Sequence, residues 1–335
     1  MIAMKTGKLS AKWCIILLIL PVLTGIVCLS IGRISIPFTD ITGALFGIGN
    51  VDNMTRMTIW NLRLPRILLA ALVGAGLSTA GCAFQSLFAN PLATPDTLGV
   101  ASGASFGAAL GLLMGLPMLG VQLAALVLGG LAVVLTWLAG SSKSKGLGTI
   151  VLAGIMMGSL FNALISLVKF MADEESQLPA ITYWLMGGLN NTSFKSLLLG
   201  APPVLLGMLI LFLLRWRMNL LPLNEDEAKS SGVNISLLRG ITVFCATMIT
   251  ASCVSMCGQV GWVGLLVPHM CRMKFGSNHL SLLPTSISFG ATFMIIVDTV
   301  ARSASAQEIP ISILTAIIGA PFFIILMRRS GGWSL

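Results

Sequence analysis

Charge is what this sequence has least of. Only 9% of its 335 residues are Asp, Glu, Lys or Arg, against roughly 25% in an ordinary soluble domain. With 56% hydrophobic residues and a mean hydropathy of +0.95, a water-soluble fold is excluded and an integral membrane protein remains. No long polar block interrupts the apolar runs. The simplest organisation is one polytopic domain over 13–329, flanked by short cytoplasmic segments at 1–12 and 330–335.

Catalytic patterns are missing as well. There is no G-x-x-x-x-G-K-[ST], no G-x-S-x-G, no H-E-x-x-H and no pair of carboxylates suited to a cleft. Nothing points to an enzyme, or to ATP hydrolysis by this chain. The net charge of +9 comes without a basic cluster beside stacking aromatics, so nucleic acid is excluded as a partner. Seven cysteines lie mostly inside apolar runs; Cys253 and Cys257, one helical turn apart, read as small buried hydrophobes rather than metal ligands. His269, which follows Pro268, reads as a hydrogen-bonded buried side chain rather than a ligand.

What is present is a succession of apolar stretches. About 20 apolar residues cross the hydrocarbon core as a helix, and ten candidates appear: 13–32, 66–86, 97–115, 119–139, 148–170, 197–214, 237–257, 261–273, 282–301 and 311–327. The eighth is short and contains Pro268. The first is too long for a signal-peptide core and lacks a small-x-small cleavage site, so it reads as a retained span. Ten spans put both termini on one side. With the N-terminus inside, Arg33, Arg56, Arg63, Arg66, Lys169, Lys195 and Arg302 fall outside, and the other 13 of the 20 basic residues fall in the cytoplasm. That bias favours N-in, C-in. The expected fold is all-α, with about ten transmembrane helices in the lipid bilayer.

Several stretches stand out. "NLRLPRILLAALVGAG" places Arg63 and Arg66 at the outer lip of the second span. "GVASGASFGAALGLLMG" repeats glycine every four residues, including Gly103 and Gly107, which suits either close helix packing or a smooth wall for a solute. In "FQSLFANPLATPDTLG", Pro91 and Pro95 break the helix. Asn90 and Asp96 offer hydrogen bonds to the freed backbone, and Asn90, Pro91 and Leu92 suit a cytoplasmic gate or a plain turn. Asp298 precedes Arg302 by four residues, a spacing that pairs them on one helix face; as an intramembrane carboxylate it also fits a cation or proton site. "SQLPAITYWLMGGLNN" reads as a short lateral helix at the outer interface. "NEDEAKSSGVN" reads as a short helix capped by Asn224, with Gly232 and Asn234 suited to the left-handed positions that end it. A second helix follows at Ile235, giving a compact cytoplasmic knob.

"LRLPRILLAALVGAGLSTAGCAFQSLFANPLATPDTLGVASGAS" closely resembles the FecCD/BtuC-type permeases of ATP-driven iron-siderophore, haem and vitamin B12 importers. So do "EDEAKSSGVN", "VGWVGLLVPHMCR", "VDTVAR" and "EIPISILTAIIGAPFFIILMRR", in order along nearly the whole chain. The resemblance implies a type II importer permease in a bacterial or archaeal cytoplasmic membrane. It works with a second permease subunit (the same chain or a related one), two cytoplasmic ATPase subunits that hold ATP and Mg, and an extracytoplasmic binding protein. This chain itself binds no cofactor and no metal. The implied cargo is a ferric siderophore first, with haem or cobalamin as alternatives. Arg63, Arg66 and Arg302 are the implied docking residues for the binding protein. Glu225, Ala228, Ser231, Gly232 and Val233, within coupling helices at about 222–238, are the implied ATPase contacts. Ser231 stands where leucine is usual, Gln259 where proline is, and Trp262 where phenylalanine is. "SNHLSLLP" lacks the basic residues that commonly follow that histidine. A different class, an ion-coupled secondary transporter using Asp298, is the competing reading.

Overall fold

The computed structural model describes the backbone of residues 9–49, 51–140, 147–190, 192–223, 227, 231–305 and 307–329, and side chains as far as 325. Thirteen α-helices are described: α1 (Ala11–Ser30), α2 (Phe38–Phe46), α3 (Asn53–Met57), α4 (Leu64–Leu87), α5 (Val100–Leu113), α6 (Met118–Gly140), α7 (Leu147–Met171), α8 (Gln177–Leu185), α9 (Phe194–Leu214), α10 (Ile235–Cys257), α11 (Val263–Phe275), α12 (His279–Ser303) and α13 (Ile311–Arg329). Seven apolar helical segments are long enough to cross a membrane; α5 and α13 are shorter apolar helices, and α11 has 13 residues around Pro268. Together they fall on the ten stretches read from the sequence. The lateral helix expected after the fifth span is α8.

One boundary differs. The sequence starts the second span at 66, but the helix runs unbroken through α3, a π-helical turn (Thr58–Arg63) and α4, 35 residues in all. At about 1.5 Å per residue that is roughly 50 Å, well beyond a core of about 30 Å. The polar residues of "NMTRMTIWNLR" hide this extension from a hydropathy reading, so Arg63 and Arg66 lie a third of the way along a helix rather than at its start.

Apolarity alone does not say which spans face lipid, because helices buried in protein are apolar too. Small residues decide it. The span holding α4 is 83% buried, while α1, α7 and α9 are 22% buried. A Cβ on Gly74 would strike the Gly290 carbonyl of α12, and one on Gly81 the Gly264 carbonyl of α11. Without side chains at these points the backbones close directly on one another, and α4 becomes the axis of the bundle. Gly103 and Gly107 work the same way between α5 and α6: a Cβ would meet Leu128 and Ala132 at the first, Ala124 and Ala125 at the second. Both glycines are buried, so in this structure they face a neighbouring helix and not an open pathway.

Candidate functional site

The two ends of the bundle differ in chemistry. At one end the π-helical turn, α4 and α12 bring three arginines together. Arg66 grips Asp298 sideways, Nε at 2.9 Å and Nη2 at 2.8 Å from Oδ1, while its Nη1 lies 3.0 Å from Glu308 Oε2. Asp298 is 1% exposed. A two-pronged guanidinium contact of this kind is the strong form of a charge-assisted hydrogen bond. Arg302 donates from Nη2 to the Cys28 carbonyl, and its Nε is 3.9 Å from Asp298 Oδ2. Arg63 donates to the carbonyls of Leu29, Ser30 and Ile34. Its guanidinium lies over Gly32, where a Cβ would come within 2.9 Å of Nη2.

The sequence spacing pairs Asp298 with Arg302, and the structure keeps that same-helix ion pair at 3.9 Å while adding a closer partner. The close partner is Arg66, 232 positions away, and the same-helix contact is the looser one. Helical spacing reveals only neighbours on one helix, so a bond between α4 and α12 leaves no local trace. Arg63, Arg66 and Arg302 are largely buried and bonded within the chain, more inward-facing than a position at the lip of a span implies. They nonetheless line a common open cavity of about 360 Å³ with Arg33, Thr58, Asn190 and Glu308. Arg33, which the sequence marks only as a charge on the same side, and Glu308 complete the cluster. Asp298 is buried between Arg66 and Arg302, which accounts for it as a structural ion pair.

The opposite end holds the connection between α4 and α5. Here Ala89 takes a left-handed conformation, φ 47°, and the chain turns at Asn90, Pro91 and Leu92, with Asn90 and Leu92 exposed. Asn90 Oδ1 accepts from Leu92 N at 2.9 Å. Asp96 Oδ1 accepts from Ala101 N at 2.9 Å and Ser102 N at 3.4 Å, capping the first turn of α5. Burial pushes its carboxyl up to about 6. Ser86, near the end of α4, donates to the Met218 carbonyl at 3.0 Å, which seats the 3₁₀ turn Arg217–Leu220 against the axis helix. Trp13, at the start of α1, meets Phe275, at the end of α11, edge-on at 5.0 Å.

Beyond that turn comes the knob. Of its expected contacts, Glu225 and Ala228, with the cap Asn224, lie outside the described residues. Ser231 and Gly232 are exposed and Val233 half-buried. Gly232 has φ +69°, with open space where a Cβ would be, as the sequence suggests for a helix-ending turn. Asn234 differs: its backbone is extended and its side chain accepts from Leu237 N at 3.0 Å. It therefore starts α10 as an N-cap instead of ending the preceding helix.

A bundle of ten apolar helical segments, with an arginine–carboxylate cluster at one end and an exposed turn at the other, is the architecture of a polytopic membrane protein. Among the described residues no His, Cys, Asp or Glu cluster could hold a metal. The comparisons name the family: residues 17–329 match the FecCD transport family, and the chain belongs to it. It is 41% identical over 317 residues to the molybdate import system permease protein MolB of Haemophilus influenzae, covering 93% of this chain and 94% of that one. It is 38% identical over 285 residues to a Helicobacter pylori protein described as a probable iron chelatin transport system permease, covering 82% and 83%. A solved ABC transporter described as metal-chelate type, in an inward-facing conformation, superposes with a TM-score of 0.87 at 41% identity, over 96% of this chain and all of that one. The chain is thus a permease subunit of an ATP-binding cassette importer, a multi-pass membrane protein with no catalytic role of its own.

Proposed function

We propose that this chain, with a second permease subunit and two ATPase subunits, forms the membrane path for a metal chelate, a ferric siderophore first. An extracytoplasmic binding protein delivers it at the arginine end. The observation that carries this reading is the polarity of the bundle: an arginine-lined cavity lies at one end and the exposed Gly232 turn at the other. Guanidinium groups suit carboxylates on a docking surface, and a protruding turn suits insertion into a groove of the ATPase. ATP and Mg belong to that partner. ATP binding there moves the knob, and the helices alternate between outward and inward access.

The iron-chelatin permease of Helicobacter pylori supports an iron chelate as cargo. The molybdate permease of Haemophilus influenzae favours a second reading, in which the cargo is that oxyanion. Uptake of radiolabelled ferric siderophore and of radiolabelled molybdate into vesicles holding the reconstituted complex separates the two. ATP-dependent accumulation of the ferric chelate supports the first reading; accumulation of molybdate alone replaces it with the second. Uptake of either without the ATPase subunits would sink both.

A further inference from the structure

Two carboxylates hold Arg66, and they differ in kind. Asp298 takes the inner edge and is 1% exposed. Glu308 takes the outer edge and is 23% exposed, at the wall of the arginine cavity. Its other oxygen, Oε1, lies 4.0 Å from Nη2 of Arg33, whose side chain is 54% exposed. Glu308 therefore bridges two guanidinium groups at the cavity mouth, as a carboxylate arriving from solution would.

Its backbone is held there at a cost. Glu308 has φ +46°, a left-handed conformation that strains a residue carrying a Cβ. The connection between α12 and α13 is pinned just after it: Ile309 N donates to the Ala301 carbonyl and Ile311 N to the Gly187 carbonyl, each at 3.1 Å. A strained residue presenting its charge to two arginines is secured by those contacts, and it is the replaceable one of the pair. Asp298 sits behind Arg66, where no partner can reach.

We propose that Glu308 is an internal placeholder for an acidic side chain of the docking protein. On docking, the incoming carboxylate takes the outer edge of Arg66 and the head of Arg33, and Glu308 is released. Until then Glu308 competes with the partner and lowers its affinity. This rests on the reading that the binding protein docks at the arginine end.

The test measures binding of the cognate binding protein, immobilised, to the purified permease–ATPase complex across a salt series. Glu308→Gln keeps the side chain's size and removes its charge. It is expected to tighten binding by on the order of tenfold and steepen the salt dependence. Arg33→Glu, at an exposed position, is expected to weaken binding. If Arg33→Glu weakens binding while Glu308→Gln leaves it unchanged or weaker, docking at this end stands and the placeholder role is overturned. If neither substitution moves the affinity, the docking face lies elsewhere and both readings fall.

Discussion

Arg66 and Asp298 form the buried polar joint between the axis helix and α12, and removing either half leaves the other with its second partner alone, Glu308 for Arg66 and Arg302 for Asp298. Stranding a buried charge outright costs about 3–5 kcal/mol, which sets the upper bound here. Asp298→Asn is therefore expected to lower the thermal midpoint of the detergent-purified protein sharply. Arg66→Lys is expected to rescue little, because a single ammonium cannot span both carboxylates. Asp96 behaves in the opposite sense. Burial pushes its carboxyl up to about 6 in the fold, above the usual aspartate range, so the folded state holds the proton more tightly than the unfolded chain. Between about pH 4 and 6 the folded state binds more protons, and stability falls as pH rises through that window. Asp96→Asn retains the Oδ1 acceptor for Ala101 N, removes the charge, and is expected to raise the melting temperature at neutral pH. The slope of melting temperature against pH over that window should flatten; an unchanged slope would assign the titration elsewhere.

Elements show how much was legible. The ten spans could be read because lipid demands a long apolar run whatever the helix packs against. The order of burial could not be read, since the more buried α4 is less apolar than α1 and contacts such as Gly74 on Gly290 decide it. The helical extension through Asn53–Arg63 escaped because it is mixed in polarity. Asn234 suits a helix ending by its residue type and is a helix beginning in the structure, since the same short polar side chain serves both left-handed turns and N-caps. One junction carries a prediction. Trp262 has φ 67°, and its ring lies against Gly319 of α13, where a Cβ would come within 3.0 Å of the indole. Gly319→Ala is expected to cost about 1–3 kcal/mol through overpacking, visible as a lower melting temperature. Trp262→Phe in the same background should recover part of the loss.

At the scale of the molecule, the sequence draws attention to Arg63, Arg66 and Arg302 because charge is scarce in an apolar chain and each instance needs a reason. It could not supply their partners, since Arg66 meets carboxylates 232 and 242 positions away. The other end is carried by Gly232, whose φ of +69° is unsuited to a β-branched residue. Gly232→Val is expected to reduce ATP-dependent uptake several-fold and to weaken co-purification of the ATPase, while the melting temperature of the isolated permease stays nearly unchanged. Normal co-purification with normal uptake would remove this turn from the coupling surface.

The axis helix gives the two ends a shared mechanical fate. From Arg66 to Ser86 it runs about 30 Å with no proline and with backbone-to-backbone contact along its flanks. Such a strut tilts or slides more readily than it bends. A load taken up at the guanidinium of Arg66 arrives at the hydrogen bond between Ser86 and Met218 as displacement, with the π-helical turn at Thr58–Arg63 lying above the loaded point and so outside the lever.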